Sequence, residues 1–305
     1  MKLMNAAFAA GLSLALIGGM SASPLRAETV QTETAEPARF TVETIGEGPD
    51  VVLIPGLSNP REVWRPNAEK LAAKHRVHLV QIRGFGDDAG ANAEGPVLQP
   101  FVDELVAYLQ SQKIEDAAIV GHSMGGLAAM MIGAQHPDVP GSIMVVDALP
   151  FIGVIFGVPD VETITPRAEQ MRAMMLMGPQ AKQTDCSAVE ETDQLPAGNM
   201  SNTHKGACMV GNWSAAADKR VFAQAMYDDM VTDMRADIAK ITAPMTVVYG
   251  RDERGVPVAM MDTIYTSNFA AAPETKFVPV DGSYHFVMLD QPEKMQEALE
   301  AFLAE

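Results

Sequence analysis

Cysteine is nearly absent from this 305-residue chain, which has only Cys186 and Cys208. No cluster of cysteine and histidine has the spacing of a zinc site, so the sequence predicts no metal centre. Two alternatives stay open for the pair, a disulfide or two buried free thiols, because sequence cannot place their α-carbons within bonding reach. No cysteine lies near the N-terminus, which argues against a lipid anchor there.

Basic residues are also scarce. Lys and Arg number 22 against 39 Asp and Glu, and the formal net charge is -17. Such an excess of negative charge disfavours nucleic acid and anionic membranes as partners. Phosphate-binding glycine motifs are lacking too: no G-x-G-x-x-G follows a predicted strand, and no glycine-rich loop carries a phosphate-binding lysine. The sequence therefore implies no cofactor.

The first 27 residues have the pattern of an export signal. Lys2 supplies a positive charge, residues 3–20 are largely apolar, and Leu25-Arg26-Ala27 fits a cleavage site. Glycines interrupt the apolar stretch, so a membrane-spanning helix is the weaker interpretation. We expect residues 1–27 to be removed and the mature chain to be periplasmic or secreted, without membrane contact after cleavage.

From residue 40 onward, short apolar runs alternate with helix-forming stretches. Strands are predicted at 50–54, 76–82, 117–120, 141–146, 245–249 and 275–280, of which 50–54 and 117–120 have the apolar character of buried strands, and an alternating strand precedes them at 40–43. Helices are predicted at 61–75, 100–112, 258–270 and 292–304. This alternation indicates an α/β fold, with a mostly parallel central sheet flanked by helices. Its core is expected to comprise residues 28–148 and 242–305.

Between residues 149 and 241 the pattern changes. No buried-strand run occurs there, helical stretches are predicted at 165–177 and 218–230, and methionine is frequent. We therefore expect a helical cap inserted between two strands of the sheet. Methionine is an adaptable side chain in apolar pockets, so such a cap would select an apolar group of the substrate.

The segment Gly121-His122-Ser123-Met124-Gly125 lies between an apolar run and a helix-forming stretch. A strand, a tight turn with serine at its apex and a helix together form a nucleophile elbow. Glycines flank the serine because side chains at those positions would collide in so sharp a turn. The helix N-terminus favours negative charge that develops beside the serine, which makes Ser123 the candidate nucleophile.

With four further segments, this motif resembles the α/β-hydrolase family, of the capped esterase and lipase-like type. The matching segments are VVLIPG, RGFGDD, GHSMGG, GRDERGVP and HFVMLDQPE, in the family's order across residues 40–305 with only the cap unmatched. The resemblance implies a catalytic triad in the chain order serine, acid, histidine. His285 stands where the family has its general base.

The resemblance leaves the acid of the triad open. The family usually has Gly-x-x-Asp after the strand that precedes the histidine, and counting from Gly250 this position is Glu253, with Asp252 before it. Glu253 has the expected register and Asp252 the expected residue type. Asp147, at the end of the strand after the elbow, is a third candidate, because some relatives draw the acid from there.

The backbone N–H groups of Leu57 and Met124 are expected to form the oxyanion hole. On this interpretation, Ser123 attacks a small to medium, neutral, apolar carboxylic ester and forms an acyl-enzyme. Lactone opening, C–C bond hydrolysis, acyl transfer and cofactor-free haloperoxidation on the same triad remain alternatives. A non-catalytic ligand-binding protein on the hydrolase scaffold is a further alternative, from a different class.

Overall fold

The fold was analysed in a computed structural model, which describes residues 36–191, 195 and 199–305. The predicted signal peptide at residues 1–27 lies outside the described residues. Within them, seven strands form one sheet in the order β1-β3-β2-β4-β5-β6-β7. The strands are β1 (Phe40–Ile45), β2 (Asp50–Ile54), β3 (Arg76–Ile82), β4 (Ala117–His122), β5 (Pro140–Val146), β6 (Met245–Arg251) and β7 (Lys276–Asp281).

All neighbouring strands pair in parallel except β1, which runs antiparallel to β3. The central strands β2, β4, β5 and β6 are mostly apolar and largely buried, because both faces of the sheet are covered. In β2, Val52 and Ile54 belong to one hydrophobic core and Val51 and Leu53 to the other, as expected when successive side chains point to opposite faces. The predicted α/β fold with a mostly parallel sheet is confirmed.

Helices cover both faces. Residues of α2, α3 and α7 pack in the core on one side of the sheet, and residues of α1 and α9 pack on the other. None of the described helices has the length and apolar character needed to cross a membrane. The helices outside the insertion are α1 (Arg65–Leu71), α2 (Leu98–Ser111), α3 (Met124–Gln135), α7 (Val258–Asn268), α8 (Val287–Asp290) and α9 (Pro292–Phe302).

The chain between β5 and β6 contains no β-strand among its described residues, and three longer helices. These are α4 (Val161–Met177), α5 (His204–Ala216) and α6 (Lys219–Met230). Each begins at a side-chain cap: Asp160, Thr203 and Asp218 accept backbone N–H groups of the first turns of α4, α5 and α6, respectively. Of the three, α5 has no counterpart among the predicted helices, although Thr203 is a recognisable start signal.

Cys186 and Cys208 form a disulfide, with their α-carbons 5.7 Å apart. The alternative of two free thiols is therefore wrong. The bond joins the short 3-10 turn Cys186–Ala188 to α5, so it fastens a stretch with little regular structure to a helix of the insertion.

Removing this disulfide should destabilise the protein. The bond closes a loop with a sequence separation of 22 residues. On the chain-entropy model, the double variant Cys186→Ser/Cys208→Ser should lose roughly 3 kcal/mol of unfolding free energy. Urea unfolding of the variant and of the wild type checks this, with reduced wild-type protein as the matched control. Equal urea midpoints for the double variant, the oxidised wild type and the reduced wild type would show that the disulfide does not constrain the unfolded chain.

Candidate active site

Ser123 occupies a strained turn between β4 and α3. Its backbone has φ 54° and ψ -126°, a conformation rare for any residue other than glycine. A β-carbon on Gly121 would collide with the Gly125 carbonyl, and one on Gly125 would lie 2.6 Å from the Ile54 carbonyl oxygen. The glycines therefore allow the turn to close on itself and against the end of β2. The serine is held at the carboxyl edge of the sheet, at the N-terminus of α3.

His285 lies in the loop between β7 and α8, and its Nδ1 is 2.7 Å from Oδ2 of Asp147. Asp147 directly follows β5 and has a left-handed backbone, with φ 47°. Its other oxygen, Oδ1, accepts hydrogen bonds from the Gly250 N–H at 2.9 Å and the Tyr265 hydroxyl at 3.0 Å. Three donors thus fix the carboxylate. The carboxylate in turn holds the imidazole with Nδ1 protonated, which leaves Nε2 on the opposite side of the ring as the nitrogen that can accept a proton.

The expectation that Glu253 or Asp252 partners His285 is wrong. Asp252 forms an ion pair with Arg254, and the hydrogen bond from that guanidinium is the main cause of its lowered pKa. Glu253 is exposed in the loop after β6. The carboxylate position beside His285 Nδ1 is filled by Asp147, the third of the sequence candidates, so the loop acids have no role at the imidazole.

His122 ties the loop of His285 to the nucleophile elbow. Its Nε2 donates to the backbone carbonyl of His285 at 3.1 Å, and the centroids of the two rings are 4.5 Å apart. His122 is fully buried, and burial together with the neighbouring His285 lowers its pKa well below the usual value. A neutral His122 can keep this hydrogen bond, which ties the His285 loop to the residue that precedes Ser123.

Further polar groups lie where β2 and β4 end, beside the elbow. His122 Nδ1 and both side-chain polar atoms of Asn59 are buried without a hydrogen-bond partner among the described residues. A β-carbon placed on Gly56 would lie 2.8 Å from His122 Nδ1, 3.0 Å from Asn59 Oδ1 and 3.0 Å from the Ser123 β-carbon. Gly56 therefore keeps a small polar space open beside the nucleophile. Sequence reasoning missed Asn59, because a polar residue in a turn gives no signal of burial.

The predicted oxyanion donors flank this space. Leu57 follows β2 in a tight turn, in which the Asn59 N–H donates to the Gly56 carbonyl at 3.1 Å. The Leu57 N–H has no hydrogen-bond partner among the described residues. Met124 is the first residue of α3, where backbone N–H groups have no acceptor within the helix. Both amides are thus available to a ligand atom beside Ser123.

Residues of the insertion anchor the His285 loop from outside. The Asp290 carboxylate accepts hydrogen bonds from the Tyr284 N–H at 2.8 Å and from the Ser201 hydroxyl at 2.5 Å. Asn202 Nδ2 donates to the Gly282 carbonyl at 2.6 Å. The position of His285 therefore depends on the inserted segment as well as on the sheet.

The insertion also contains a buried acid. Asp229 of α6 is only 6% exposed, and burial raises its pKa to about 7, with smaller effects from His285, which lowers it, and Asp228, which raises it. Sequence reasoning missed Asp229, because an acid at the end of an exposed-looking helix predicts a solvated carboxylate.

A separate cleft of about 870 Å³ opens at the other edge of the sheet. Its lining includes Gly141, Met245 and Lys276, which lie at the amino ends of β5, β6 and β7. Ligands of open parallel sheets bind at the carboxyl ends of the strands, where Ser123 and His285 lie. Within the described part of the chain, no group of three His, Cys, Asp or Glu side chains could hold a metal ion.

Comparison with known proteins agrees with this geometry. The model of the alpha/beta hydrolase family matches residues 51–298. Pimeloyl-(acyl-carrier protein) methyl ester esterase of Aeromonas hydrophila subsp. hydrophila is 27% identical over 269 residues, which cover 86% of this chain and 98% of that protein. The enzyme of the same name from Aliivibrio salmonicida is 27% identical over 230 residues, covering 71% of this chain and 78% of that protein.

Solved structures share the same architecture. The enol-lactonase from Burkholderia xenovorans LB400 superposes with a TM-score of 0.64 at 19% sequence identity, covering 87% of this chain and 96% of that chain. At this level of identity, the likeness shows the fold alone.

Proposed function

The chain belongs to the alpha/beta hydrolase family, and from that premise we propose that it is an exported esterase that cleaves small to medium apolar carboxylic esters through an acyl-enzyme on Ser123. The protein is a serine hydrolase. The observation that carries the proposal is the 2.7 Å hydrogen bond between His285 Nδ1 and Asp147, with His285 tied to the residue that precedes Ser123. An oriented imidazole beside an elbow serine is what activates a hydroxyl for attack.

The proposed reaction begins with His285 Nε2 taking the hydroxyl proton as Ser123 Oγ attacks the ester carbonyl. The amides of Leu57 and Met124 stabilise the oxyanion of the tetrahedral intermediate. Asp147 stays ionised and stabilises the imidazolium. His285 then returns the proton to the departing alkoxide, which leaves as an alcohol. Water, deprotonated by the same imidazole, attacks the acyl-serine, releases the carboxylic acid and restores Ser123.

Three observations support the substrate class and the location. The net charge of -17 disfavours an anionic substrate. The relatives named above are named for hydrolysis of a methyl ester. The disulfide between Cys186 and Cys208 suits an oxidising compartment, as expected for a chain whose first 27 residues resemble an export signal.

A serine-directed fluorophosphonate tests the mechanism. Wild-type protein should be labelled on Ser123 and should hydrolyse a panel of esters of graded acyl length, whereas Ser123→Ala should take up no label and show only background hydrolysis. In cells that express the full chain, the label should appear in the periplasmic or culture fraction, on a protein that begins at Glu28. Hydrolysis that survives in Ser123→Ala, or label confined to the cytosol, would overturn the corresponding part of the proposal.

A further inference from the structure

The backbone that presents the Leu57 amide is a four-residue turn from Gly56 to Asn59. The Asn59 N–H closes the turn on the Gly56 carbonyl at 3.1 Å, and Ser58, the third residue, has a left-handed backbone with φ 59°. Turns with a positive φ at the third position favour glycine there, because a β-carbon makes that conformation costly. A serine in this position persists only where its surroundings hold it.

The side chain of Ser58 meets a residue of the insertion. Ser58 is 3% exposed, and its hydroxyl oxygen is 3.0 Å from the hydroxyl oxygen of Ser214, near the C-terminal end of α5. The two residues are 156 positions apart in the sequence. This hydrogen bond therefore ties the turn that carries one oxyanion donor to a helix of the insertion.

The helix α5 is a firm support for this contact. The disulfide at Cys208 fastens it to the chain that precedes it. Trp213, the residue before Ser214, packs beside Phe286 with the ring centroids 6.0 Å apart, and Phe286 directly follows His285. Adjacent residues of α5 thus contact both the loop of the general base and the turn of the oxyanion donor.

We propose that Ser214 is a positioning residue for the oxyanion hole. Its hydrogen bond holds Ser58 in the left-handed conformation, and this conformation gives the turn the shape in which the Leu57 N–H is free beside Ser123. A turn that relaxed at Ser58 would change its backbone dihedrals and carry the Leu57 N–H away from the nucleophile. The proposal rests on the esterase function proposed above, because it assigns a role within that reaction.

The position of the Leu57 amide matters mainly in the transition state. An oxyanion accepts a hydrogen bond more strongly than an ester carbonyl does, so a displaced donor lowers kcat and leaves KM nearly unchanged. Complete loss of one such donor lowers kcat by about 10²–10³-fold. Without the Ser214 hydroxyl the turn keeps its bond from Asn59 to Gly56, so the donor is misplaced for only part of the time, and we expect about a tenfold loss.

The experiment measures kcat and KM for methyl hexanoate in variants of the two hydroxyls. Ser214→Ala and Ser58→Ala should each lower kcat about tenfold with KM within about twofold of the wild type, and the variant with both changes should lose no more than either. Because Ser58→Gly removes the β-carbon that makes the left-handed backbone costly, Ser58→Gly/Ser214→Ala should recover kcat to within about threefold of the wild type. Ser111→Ala, at an exposed serine that ends α2, is the matched control and should behave as wild type.

Inhibition by trifluoromethyl hexyl ketone separates an effect on the oxyanion hole from general damage to the fold. The ketone forms a tetrahedral adduct with the nucleophile, and the oxyanion of the adduct occupies the hole. Its inhibition constant should therefore rise about tenfold in Ser214→Ala and recover in Ser58→Gly/Ser214→Ala.

Three results would overturn the proposal: a wild-type kcat in Ser214→Ala, a loss of kcat that Ser58→Gly does not restore, or a ketone inhibition constant that stays unchanged in Ser214→Ala. Failure of the esterase function itself is distinct, since methyl hexanoate would then not be hydrolysed by the wild type above the Ser123→Ala background.

Discussion

Replacing Asp147 with asparagine should lower kcat by about ten-thousandfold, the loss found when a triad acid loses its charge. Asp147 accepts from His285 Nδ1 at 2.7 Å, and its second oxygen is already bonded to the Gly250 N–H and the Tyr265 hydroxyl. In Asp147→Asn, the oxygen of the amide would remain with those two donors, so the NH₂ group would face Nδ1. The imidazole would then take the other tautomer, with Nε2 protonated and unable to accept the Ser123 proton.

The matched controls for this variant are the two acids that the sequence favoured. Asp252→Asn and Glu253→Gln should retain kcat within about twofold, since Glu253 is exposed and the Asp252 carboxylate pairs with Arg254, so neither acid contacts His285. Steady-state kinetics of the three variants on one ester, with circular dichroism to check folding, make the comparison. If the loss appears in Glu253→Gln or Asp252→Asn and not in Asp147→Asn, the triad assigned to this site is wrong.

The sequence could not choose between these acids, because their segments meet at one edge of the sheet. β5 and β6 are neighbouring parallel strands, with Val146 opposite Val248, so Asp147 and Gly250 lie side by side at the strand ends. Either strand could deliver a carboxylate to His285. Which carboxylate reaches His285 depends on the path of the loop after β6, and tertiary contacts set that path. In this loop Asp252 forms an ion pair with Arg254.

The central strands were predictable because their residues are buried on both faces. Asp50–Ile54 and Arg76–Ile82 begin and end where the sequence indicated. The helix predicted at 61–75 is shorter: a 3-10 turn occupies Arg61–Trp64, and α1 starts at Arg65, with a proline in its first turn. Proline is suited to a helix start because its missing N–H is not needed there. Pro66 therefore marks the start of α1 more reliably than the apolar pattern does.

The insertion was harder to predict in detail. The helix α5 was missed because glycine, alanine, serine and asparagine dilute its apolar pattern, and only Gly206 and Ala215 of its residues are buried. Its place is fixed by the Thr203 cap and by the disulfide at Cys208, and the pairing of the two cysteines depends on three-dimensional distance. The buried polar side chains of Asn59 and Asp229 were missed for the same reason, since burial of a polar side chain is a tertiary property.

Asp229 should make the native protein less stable than the Asp229→Asn variant at neutral and alkaline pH. In the folded protein the pKa of Asp229 is raised to about 7, from an ordinary value of 3.8. Between these two values the unfolded chain has released a proton that the folded chain still holds. Stability therefore falls as the pH rises through this interval, and the deficit is complete above about pH 7. Asp229→Asn has no such proton, so it should gain roughly 2–4 kcal/mol of unfolding free energy at about pH 8, and almost nothing near pH 4.

Urea unfolding of the wild type and Asp229→Asn at several pH values measures this difference, and Asp228→Asn is the matched control. Asp228 accepts two N–H groups at the start of α2, so its replacement should destabilise the protein at the same pH at which Asp229→Asn stabilises it. A constant difference between wild type and Asp229→Asn across the pH range would mean that Asp229 is not buried as a carboxyl. Opposite signs for these adjacent acids would show that Asp228 stabilises the fold through its hydrogen bonds to α2, whereas the burial of Asp229 costs stability once its carboxyl is ionised.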